Sequence, residues 1–358
     1  MDEDRRWMAQ ALALARQGLL STHPNPRVGC VIVRDGHCVG QGAHLKAGEP
    51  HAEVHALRDA GHATQGATAY VTLEPCNHTG RTPPCVDALI QAGVARVVYA
   101  VEDPNPQVAG QGAARLRAAG IAVAQGPCAE EATELNRGFF KRMRTGQPWV
   151  SLKLAASLDG RTATANGESQ WITGEAARAD VHRLRAEAGA VMVGAATVLS
   201  DDPALTVRHL ESPRVPDRIV WDSRARTPPT ARVWADDGAR RIWLTAMAPA
   251  VPTGVEHHTV PTLADGALAP ATVLTVLGQL AINEVLVEVG AQFSGALMAA
   301  GVVDELIVYL APILLGDDAR GLAQLPGLQA LAAAPRFQFI DIAQVGDDLR
   351  LRLQPIRE

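Results

Sequence analysis

The stretch that decides the fold of the first half covers residues 47–76 and reads AGEPHAEVHALRDAGHATQGATAYVTLEPC. Residues 51–60 have helical spacing, and Gly61 marks the end of this predicted helix. Residues 68–73 are rich in β-branched and aromatic side chains, which favours a strand. The strand leads into Glu74-Pro75-Cys76. A helix followed by a strand in this way is typical of α/β layers around a central sheet.

The same alternation continues on both sides of this stretch. Upstream, a helix over residues 3–17 precedes a strand over 28–34. Asp35-Gly36 is then a strong hairpin-turn signal before a second strand that begins at His37. The predicted downstream elements are a helix over 85–93, a strand over 96–101, a helix over 112–119 and a strand over 121–124.

A domain boundary is predicted where the chain becomes polar and basic. Residues 141–148 read KRMRTGQP and end in residues that break helices, so we divide the chain into residues 1–146 and 147–358. A solvated linker explains these charges better than a nucleic-acid-binding tail does. The second half is again α/β, with strands predicted over 149–156, 190–193, 218–222, 241–245, 285–289 and 305–310, and helices over 175–188, 271–281 and 294–300.

The composition argues against several classes of function. The 358 residues carry 33 Lys and Arg against 38 Asp and Glu, a net charge of −5, which provides no global field to attract nucleic acid or an anionic membrane. No stretch approaches the ~20 consecutive apolar residues of a membrane span, and the N-terminus has no signal-peptide pattern. The five cysteines are too sparse for a disulfide framework. We therefore expect a cytoplasmic protein, with neither nucleic acid nor membrane as partner, whose thiols are available as metal ligands.

One histidine and two cysteines form the chemically informative set: His51, Cys76 and Cys85. Imidazole and thiolates are suitable zinc ligands, and three protein ligands leave a fourth position for water, as a catalytic zinc requires. Glu53 follows two residues after His51 and can carry protons between water and a leaving amine. This arrangement is typical of zinc-dependent nucleobase deaminases. A structural zinc is the alternative, but it normally has four protein ligands.

The spacing of the two cysteines departs from the usual two-residue gap of that signature, because eight residues separate Cys76 from Cys85. Pro83-Pro84 predict that Cys85 begins a helix, where the helix dipole helps to keep a thiolate ionised. His55 is an alternative metal ligand four residues after His51, although a packing or surface role accounts for it better.

Seven stretches of the chain resemble the bifunctional deaminase–reductases of riboflavin biosynthesis. In the first half they are NPRVGC (25–30), AGEPHAEVHAL (47–57) and LEPCNHTGRTPPC (73–85). The eight-residue gap between the cysteines is typical of that family. In the second half they are SLKLAASLDGR (151–161), SQWITG (169–174), DDPALTVR (201–208) and VGAQFSGAL (289–297).

The resemblance implies a cytidine-deaminase-like three-layer α/β domain followed by a dihydrofolate-reductase-like α/β domain. It implies hydrolytic deamination of 2,5-diamino-6-ribosylamino-4(3H)-pyrimidinone 5′-phosphate, followed by NADPH-dependent reduction of the ribosyl group to ribityl. The implied cofactors are one Zn²⁺ per deaminase domain and NADPH. Members of the family commonly assemble, which predicts a homo-oligomer, with a dimer favoured, formed through the reductase half.

For the deaminase site, the resemblance implies that Asn25 contacts the pyrimidine ring. An Asn side chain offers both donors and an acceptor for this role, and a turn residue of an Asn-Pro pair is the alternative. His44 and His78 are further candidates for substrate contact, against plain surface or loop roles.

The reductase half lacks a G-x-G-x-x-G fingerprint after a strand, so it is not an evident Rossmann domain. Residues 290–295 form a glycine-bearing segment before a predicted helix, and its backbone N–H groups can cradle a phosphate. A plain strand–helix turn is the alternative, and residues 194–197 form a similar element. The resemblance implies NADPH contacts at Ala155, Trp171, Thr197, Asp201, Ser223, Gly290, Ala291, Gln292, Phe293, Ser294, Gly295 and Ala296.

Substrate contacts are also predicted in this half. Arg185 and Arg208 can each hold a phosphate through a planar fork of donors, although Arg185 could instead face solvent on a charged helix. Trp171 can stack on a ring or belong to the core. Lys153 contacts phosphate or ribose, or is a partly buried structural lysine. The resemblance implies substrate contacts at Ser169, Arg185, Leu205, Arg208 and Glu288, and Lys153 is a further candidate.

Two other functions fit parts of the sequence. A nucleic-acid or free-nucleotide base deaminase with an unrelated C-terminal domain would share the H-A-E and P-C residues. Acting on nucleic acid, however, requires a basic surface for the backbone phosphates. The other alternative is an inactive nucleotide-binding regulator, and the intact zinc set with Glu53 argues against it.

Overall fold

The computed structural model describes residues 3–79, 83–106 and 108–357. The chain forms two compact units that divide between Gly146 and Gln147, called here the N-terminal unit and the C-terminal unit. Residues 80–82, which belong to the predicted loop between the two cysteines, lie outside the described residues. None of the described helices is both long and apolar enough to cross a membrane.

The N-terminal unit alternates helices and strands, with short 3₁₀ turns at Arg16–Gly18 and Gly61–Thr64. Its strands are β1 (Gly29–Arg34), β2 (His37–Ala43), β3 (Thr68–Val71), β4 (Arg96–Tyr99) and β5 (Ala122–Gln125). Its helices are α1 (Glu3–Ala15), α2 (Ala52–Ala60), α3 (Cys85–Gln91), α4 (Gln111–Ala118), α5 (Ala129–Leu135) and α6 (Arg137–Thr145).

These elements form three layers. The central sheet has the order β2-β1-β3-β4-β5, in which β1 is antiparallel to β2 and β3, and the last three strands are parallel. Trp7, Met8 and Leu12 of α1 pack on one face of the sheet against Val31 and Tyr70. Helices α2 and α3 pack on the other face. Successive strand residues point to opposite faces, so both faces are buried, and the predicted three-layer α/β fold is confirmed.

Helix α2 lies close against β2 because Gly40 and Gly42 have no side chains. A Cβ atom on Gly42 would lie 2.4 Å from the carbonyl oxygen of Ala52 and 2.5 Å from the backbone nitrogen of Ala56. These are backbone atoms of the helix, which cannot move independently of it. The two glycines therefore set the position of the helix that carries Glu53.

The C-terminal unit has short 3₁₀ turns at Arg232–Trp234 and Leu331–Ala333. Its strands are β6 (Trp149–Ser157), β7 (Arg161–Ala163), β8 (Ala190–Gly194), β9 (Asp217–Trp221), β10 (Arg241–Thr245), β11 (Glu256–Thr259), β12 (Glu284–Glu288), β13 (Glu305–Ala311), β14 (Arg320–Gly321), β15 (Phe337–Val345) and β16 (Asp348–Pro355). Its helices are α7 (Glu175–Ala188), α8 (Ala195–Asp201), α9 (Pro270–Gln279) and α10 (Ala291–Ala299).

The main sheet of this unit has the order β11-β10-β9-β8-β12-β6-β13-β16-β15, and β7 pairs with β14 in a separate small sheet. From β11 to β13 every pairing is parallel, and β16 and β15 add an antiparallel edge. Helices α9 and α10 pack on one face and α7 on the other. Because the parallel strands end at one edge, the loops that follow them lie together, where ligands bind in open α/β sheets.

Three sequence-based expectations differ from the structure. Residues 141–145 are not linker but the end of α6, since the buried Phe139 and Phe140 anchor this helix. Helix α10 begins at Ala291 rather than at residue 294, so the glycine-bearing segment is mostly helical. The hairpin β15–β16 is an additional element: β15, FQFIDIAQV, has no strict apolar alternation, but the Gly346-Asp347 turn and the alternation of β16, DLRLRLQP, are hairpin signals that sequence reasoning overlooked.

We predict that Gly42→Ala weakens the N-terminal unit. The new methyl group must displace α2, and overpacking of this kind costs about 1–3 kcal/mol in the free energy of unfolding. Gln41→Ala is the matched control, because Gln41 is the exposed neighbour on the same strand. Denaturant unfolding followed by circular dichroism measures both variants, and equal midpoints would contradict the close approach of α2 to β2.

Candidate active sites

The three predicted zinc ligands converge in the N-terminal unit. His51 directly precedes α2, Cys76 lies in the loop after β3, and Cys85 is the first residue of α3. Nδ1 of His51 is 3.2 Å from Sγ of Cys85 and 3.6 Å from Sγ of Cys76. The three donor atoms lie within 4.8 Å of one another. His55 is not part of this group within the described chain.

These donor atoms fit a zinc ion. Zinc binds sulfur at about 2.3 Å and histidine nitrogen at about 2.0–2.1 Å in tetrahedral geometry, so its ligand atoms are roughly 3.4–3.8 Å apart. The nitrogen–sulfur distances of 3.2 and 3.6 Å are close to this spacing. Three protein donors of these types also leave one coordination position for water or substrate.

The two cysteines differ in their affinity for a proton. The hydrogen bond from the Cys85 side chain lowers the pKa of Cys76, although burial opposes it, and His51 adds to the lowering. The pKa of Cys85 is raised by its bond to Cys76 and by burial. The backbone N–H of Cys85 at the start of α3 donates to Sγ of Cys76 at 3.4 Å, and the predicted Cys85 thiolate stays a prediction. Metal binding requires two thiolates, so it is coupled to release of the Cys85 proton.

Glu74 anchors the loop that carries Cys76. Its carboxylate is buried and accepts the backbone N–H groups of Gly110 and Ala113, at 2.9 and 3.0 Å. These groups belong to the start of α4, where a negative charge is favoured by the helix dipole. The loop is thereby fixed two residues before the metal ligand.

Glu53 lies in the first turn of α2 and is 3% exposed. Burial raises the pKa of its carboxyl group, while the neighbouring His51 opposes the rise. It is not one of the three grouped donors. A buried carboxyl group with a raised pKa, beside a metal site but outside the ligand set, is suited to proton transfer.

A cavity of about 320 Å³ joins these residues to the predicted substrate contacts. Its lining includes His51, Glu53 and Cys76 together with Asn25, His44 and His78. A cavity of this size is at the small end of the usual range for small-molecule sites. The structure therefore brings the predicted residues of the N-terminal unit to one place.

A hydrogen-bond chain orients Asn25 in this cavity. His44 is buried, and burial lowers its pKa, so its ring is neutral at neutral pH. Nδ1 of His44 is 3.1 Å from the carbonyl oxygen of Pro50 and carries the proton, which leaves Nε2 to accept from the Asn25 amide at 3.1 Å. The amide oxygen of Asn25 then remains to accept an N–H group of a ligand.

Sequence reasoning missed Asp103 and Asn105, which line the same cavity. Oδ1 of Asp103 accepts the backbone N–H of Asn105 at 2.8 Å, and burial raises the pKa of Asp103 to about 7. Both residues follow β4, a strand parallel to β3. The available signal was a polar Glu-Asp-Pro-Asn run after a predicted strand, at the edge where parallel sheets bind ligands.

The predicted NADPH contacts other than Trp171 lie near or after the carboxyl ends of β6, β8, β9 and β12. The rings of Trp221 and Phe293 are 4.9 Å apart, which joins the end of β9 to α10. The backbone N–H of Arg232 donates to Asp202 at 2.8 Å, which joins the segment after β9 to the end of α8. The predicted residues are distributed as Ala155 in β6, Thr197 and Asp201 in α8, Ser223 after β9, Gly290 before α10, and residues 291–296 within it.

The start of α10 offers backbone rather than side-chain contacts. Ser294 is fully buried, and its hydroxyl donates to the carbonyl oxygen of Gly290 at 3.0 Å. Gly295 is required by packing, because a Cβ atom there would lie 1.7 Å from the carbonyl oxygen of Gln324. A phosphate at this helix end would therefore be held by the N–H groups of the first turn.

Three of the predicted substrate residues form one ion-pair network. Arg185 donates to both oxygens of Glu288, at 2.6 and 3.0 Å, and Nζ of Lys153 is 3.5 Å from the same carboxylate. Burial alone would raise the pKa of Glu288, but the charges of Arg185 and Lys153 lower it to about 2. The fork of Arg185 pairs with a carboxylate in this structure, and its contact with a substrate phosphate stays a prediction.

The other predicted residues lie in loops. Trp171 is 68% exposed, which excludes a core role, and the guanidinium of Arg178 lies 4.7 Å from its ring centroid. Leu205 is buried, whereas Arg208 is exposed. Ser169 lies half-buried before α7. No hydrogen bond or ion pair between described residues links Ser169 or Trp171 to the network of Glu288.

We predict that Cys85→Ser weakens zinc binding by at least about 100-fold, because even residues that only support zinc ligands contribute about 10–100-fold. Cys38→Ser is the matched control, since Cys38 is an exposed thiol of the same unit. Zinc per chain is measured by elemental analysis after dialysis against a chelator. Equal zinc content in the two variants would rule out Cys85 as a ligand.

Two family models match the chain. The cytidine and deoxycytidylate deaminase zinc-binding region matches residues 1–101. The RibD C-terminal domain matches residues 148–351. The two matches follow the division into two units and agree with the resemblance found in the sequence motifs.

Known proteins match over nearly the full length. The riboflavin biosynthesis protein RibD of Escherichia coli K12 is 55% identical over 98% of this chain and 99% of its own. The structure of Acinetobacter baumannii RibD is 47% identical, with a TM-score of 0.92 over 99% of both chains. That of the diaminohydroxyphosphoribosylaminopyrimidine deaminase/5-amino-6-(5-phosphoribosylamino)uracil reductase of Thermotoga maritima is 33% identical, with a TM-score of 0.87 over 99% of both. The chain therefore belongs to the RibD family of riboflavin biosynthesis proteins.

Proposed function

We propose that the chain catalyses two consecutive steps of riboflavin biosynthesis. Residues 1–146 hydrolyse the 2-amino group of 2,5-diamino-6-ribosylamino-4(3H)-pyrimidinone 5′-phosphate. Residues 147–358 then use NADPH to reduce the ribosyl group to ribityl. Family membership supports this pair of reactions, and each unit contains residues suited to one of them.

One observation carries the deaminase assignment: the buried carboxyl group of Glu53 lines the same cavity as the ligands His51 and Cys76. When zinc is bound by His51, Cys76 and Cys85, it supplies a hydroxide-like nucleophile at neutral pH. The amide oxygen of Asn25 accepts an N–H group of the pyrimidine and so orients the ring.

Glu53 moves the protons of the deamination. Water adds to the ring carbon that carries the amino group, the bond to that nitrogen breaks, and a carbonyl group and ammonia result. Glu53 accepts a proton from the attacking water and donates it to the departing nitrogen, and the second proton of the water ends on the adjacent ring nitrogen. Its raised pKa suits both halves of this transfer, because the group must take up and release a proton near neutral pH.

The residues of the C-terminal unit position the second reaction. NADPH supplies a hydride, which adds to the ribose carbon attached to nitrogen while the bond from that carbon to the ring oxygen breaks, and the oxygen takes up a proton. Glu288, the last residue of β12, lies in register with Lys153 of the neighbouring strand β6, and its carboxylate is 3.5 Å from the ammonium group. In this proposal Lys153 contacts the ribose, and the exposed Arg208 contacts the phosphate.

A small-molecule substrate in the cytoplasm is part of this proposal. The described residues that line the deaminase cavity include no Lys or Arg, and the chain has a net charge of −5. A deaminase that acts on nucleic acid would need a basic surface for the backbone phosphates. The acidic chain therefore offers no extended basic surface for a polynucleotide, which favours a small-molecule substrate.

We predict that Glu53→Gln retains zinc and loses at least about 100-fold in ammonia release, because a general acid–base residue contributes about 10²–10⁴-fold. The variant should still oxidise NADPH when it is given the deaminated ribotide. Glu130→Gln, an exposed carboxylate of α5, is the control. Ammonia release at the wild-type rate in Glu53→Gln would refute the proton-transfer role.

We also infer that two copies of the chain associate through β15. Phe339 and Ile342 are 60% and 59% exposed on this outermost strand, which combines an open backbone edge with an apolar surface. A second copy suits such an edge, because a twofold contact is self-complementary.

The test of this association is sedimentation of Ile342→Lys. We expect the wild type to be a dimer at micromolar concentration and the variant to be a monomer, since a buried charge in the contact has no partner. Leu263→Lys alters an equally apolar, 50% exposed side chain elsewhere in the unit and should leave the dimer intact. A monomeric wild type, or a dimeric Ile342→Lys, would contradict the inference.

A further inference from the structure

The loop over residues 205–209, which carries the predicted substrate residues Leu205 and Arg208, has an unfavourable backbone. Leu205 and His209 have φ angles of +52° and +68°, in the left-handed region that residues with side chains adopt rarely. Such conformations cost free energy and persist only where neighbouring contacts hold them. In this loop the contacts come from α7.

Two residues one turn apart on α7 bind the backbone of this loop. Nη1 of Arg185 donates to the carbonyl oxygen of Thr206 at 3.1 Å. Nδ1 of His182 lies 3.0 Å from the same oxygen and 3.1 Å from the backbone nitrogen of Arg208. His182 is 5% exposed, and the ring of His209 lies edge-on to it at 5.2 Å.

Nδ1 of His182 can either donate to the carbonyl oxygen of Thr206 or accept the backbone N–H of Arg208, depending on whether it carries the proton. The carbonyl group of Thr206 already has a donor in Arg185, so a His182 ring with a bare Nδ1 can accept the N–H of Arg208 without leaving that carbonyl unpaired. A proton on Nδ1 would exclude that bond. Burial, and then the charges of Arg185 and Arg208, lower the pKa of His182 to about 4, so the ring is neutral at neutral pH.

The two arginines of this cluster have different tasks. The guanidinium of Arg185 is committed to Glu288 and to the carbonyl oxygen of Thr206. That of Arg208 is exposed and forms no ion pair with any residue that the structure describes. Arg208 is therefore the cation of this cluster that is available for a phosphate group.

We propose that His182 is a positioning residue of the reductase site: by accepting the backbone N–H of Arg208, it fixes the loop over residues 205–209 so that Arg208 binds the phosphate of the substrate. This rests on the proposed reductase function and adds a residue that does not itself contact the substrate. Loss of the bond frees the strained loop, and the phosphate loses a fixed partner while the hydride-transfer geometry around Lys153 and Glu288 remains.

The test compares full-length variants in NADPH oxidation with two substrates, the deaminated ribotide and its 5′-dephosphorylated form. For His182→Ala we expect the preference in kcat/KM for the phosphorylated substrate to fall about tenfold, the effect of about 1.4 kcal/mol, through KM and with little change in kcat. Arg208→Gln should lose the same preference. His182→Asn should keep most of it, because the amide oxygen can replace Nδ1 as acceptor. His258→Ala, a half-buried histidine on β11, is the control.

The comparison of the two substrates distinguishes a positioning role of His182 from a general effect on the stability of the unit. Equal losses of kcat/KM for both substrates in His182→Ala, or an unchanged preference, would overturn the proposal, as would an unchanged preference in Arg208→Gln. If His182→Ala does not fold, His182→Asn decides, and loss of the preference in that variant would overturn the role. Calorimetric titration of the ribotide without NADPH should show the same order of affinities. A wild type that reduces neither substrate would overturn the proposed reductase function itself.

Discussion

Three donor atoms from three separate segments must reach a single ion in the N-terminal unit, and much of that unit serves this requirement. His51 depends on the position of α2, which is set by the glycines of β2. Cys76 depends on a loop that Glu74 ties to α4. Cys85 begins α3 and donates its backbone N–H to the other thiol. The position of Glu53 also depends on α2, because this helix begins directly after His51 and buries the carboxyl group of Glu53 in its first turn.

In the C-terminal unit, ion pairs between side chains stabilise the charged groups of the predicted site. The carboxylate of Glu288, whose side chain is 12% exposed, is neutralised by Arg185 and Lys153, since an unpaired charge with so little solvent contact would be costly. The paired side chains are thereby fixed in orientation, and Arg208 is left exposed for an anion. In this account the paired side chains fix the geometry of the site, and the exposed guanidinium of Arg208 contributes affinity for the phosphate of the substrate. The loop that presents it needs its own support, because two of its residues have positive φ angles.

The sequence predicts features that short motifs encode. His51, Glu53 and the two cysteines are recognisable from residue type and spacing, and the α/β alternation follows from local periodicity. The partner of Arg185 is not predictable in this way, because Glu288 is 103 residues away and the pair exists only once β12 lies beside the other parallel strands. The position of Asp103 has a local signal in the polar run after β4, but its raised pKa arises from burial that the sequence does not report. The hairpin β15–β16 is a different case, because the sequence does mark its Gly346-Asp347 turn and the strict alternation of β16, and only β15 lacks a regular pattern.

A single assay of the wild-type chain tests whether both sites act in sequence. The undeaminated ribotide and NADPH are supplied together, and ammonia release and NADPH oxidation are followed in the same sample. We expect one NADPH to be oxidised for each ammonia released, with NADPH oxidation lagging behind ammonia because the reductase needs the deaminated product. Ammonia without loss of NADPH would contradict the reductase role of the C-terminal unit, and neither signal from zinc-loaded protein would contradict both roles.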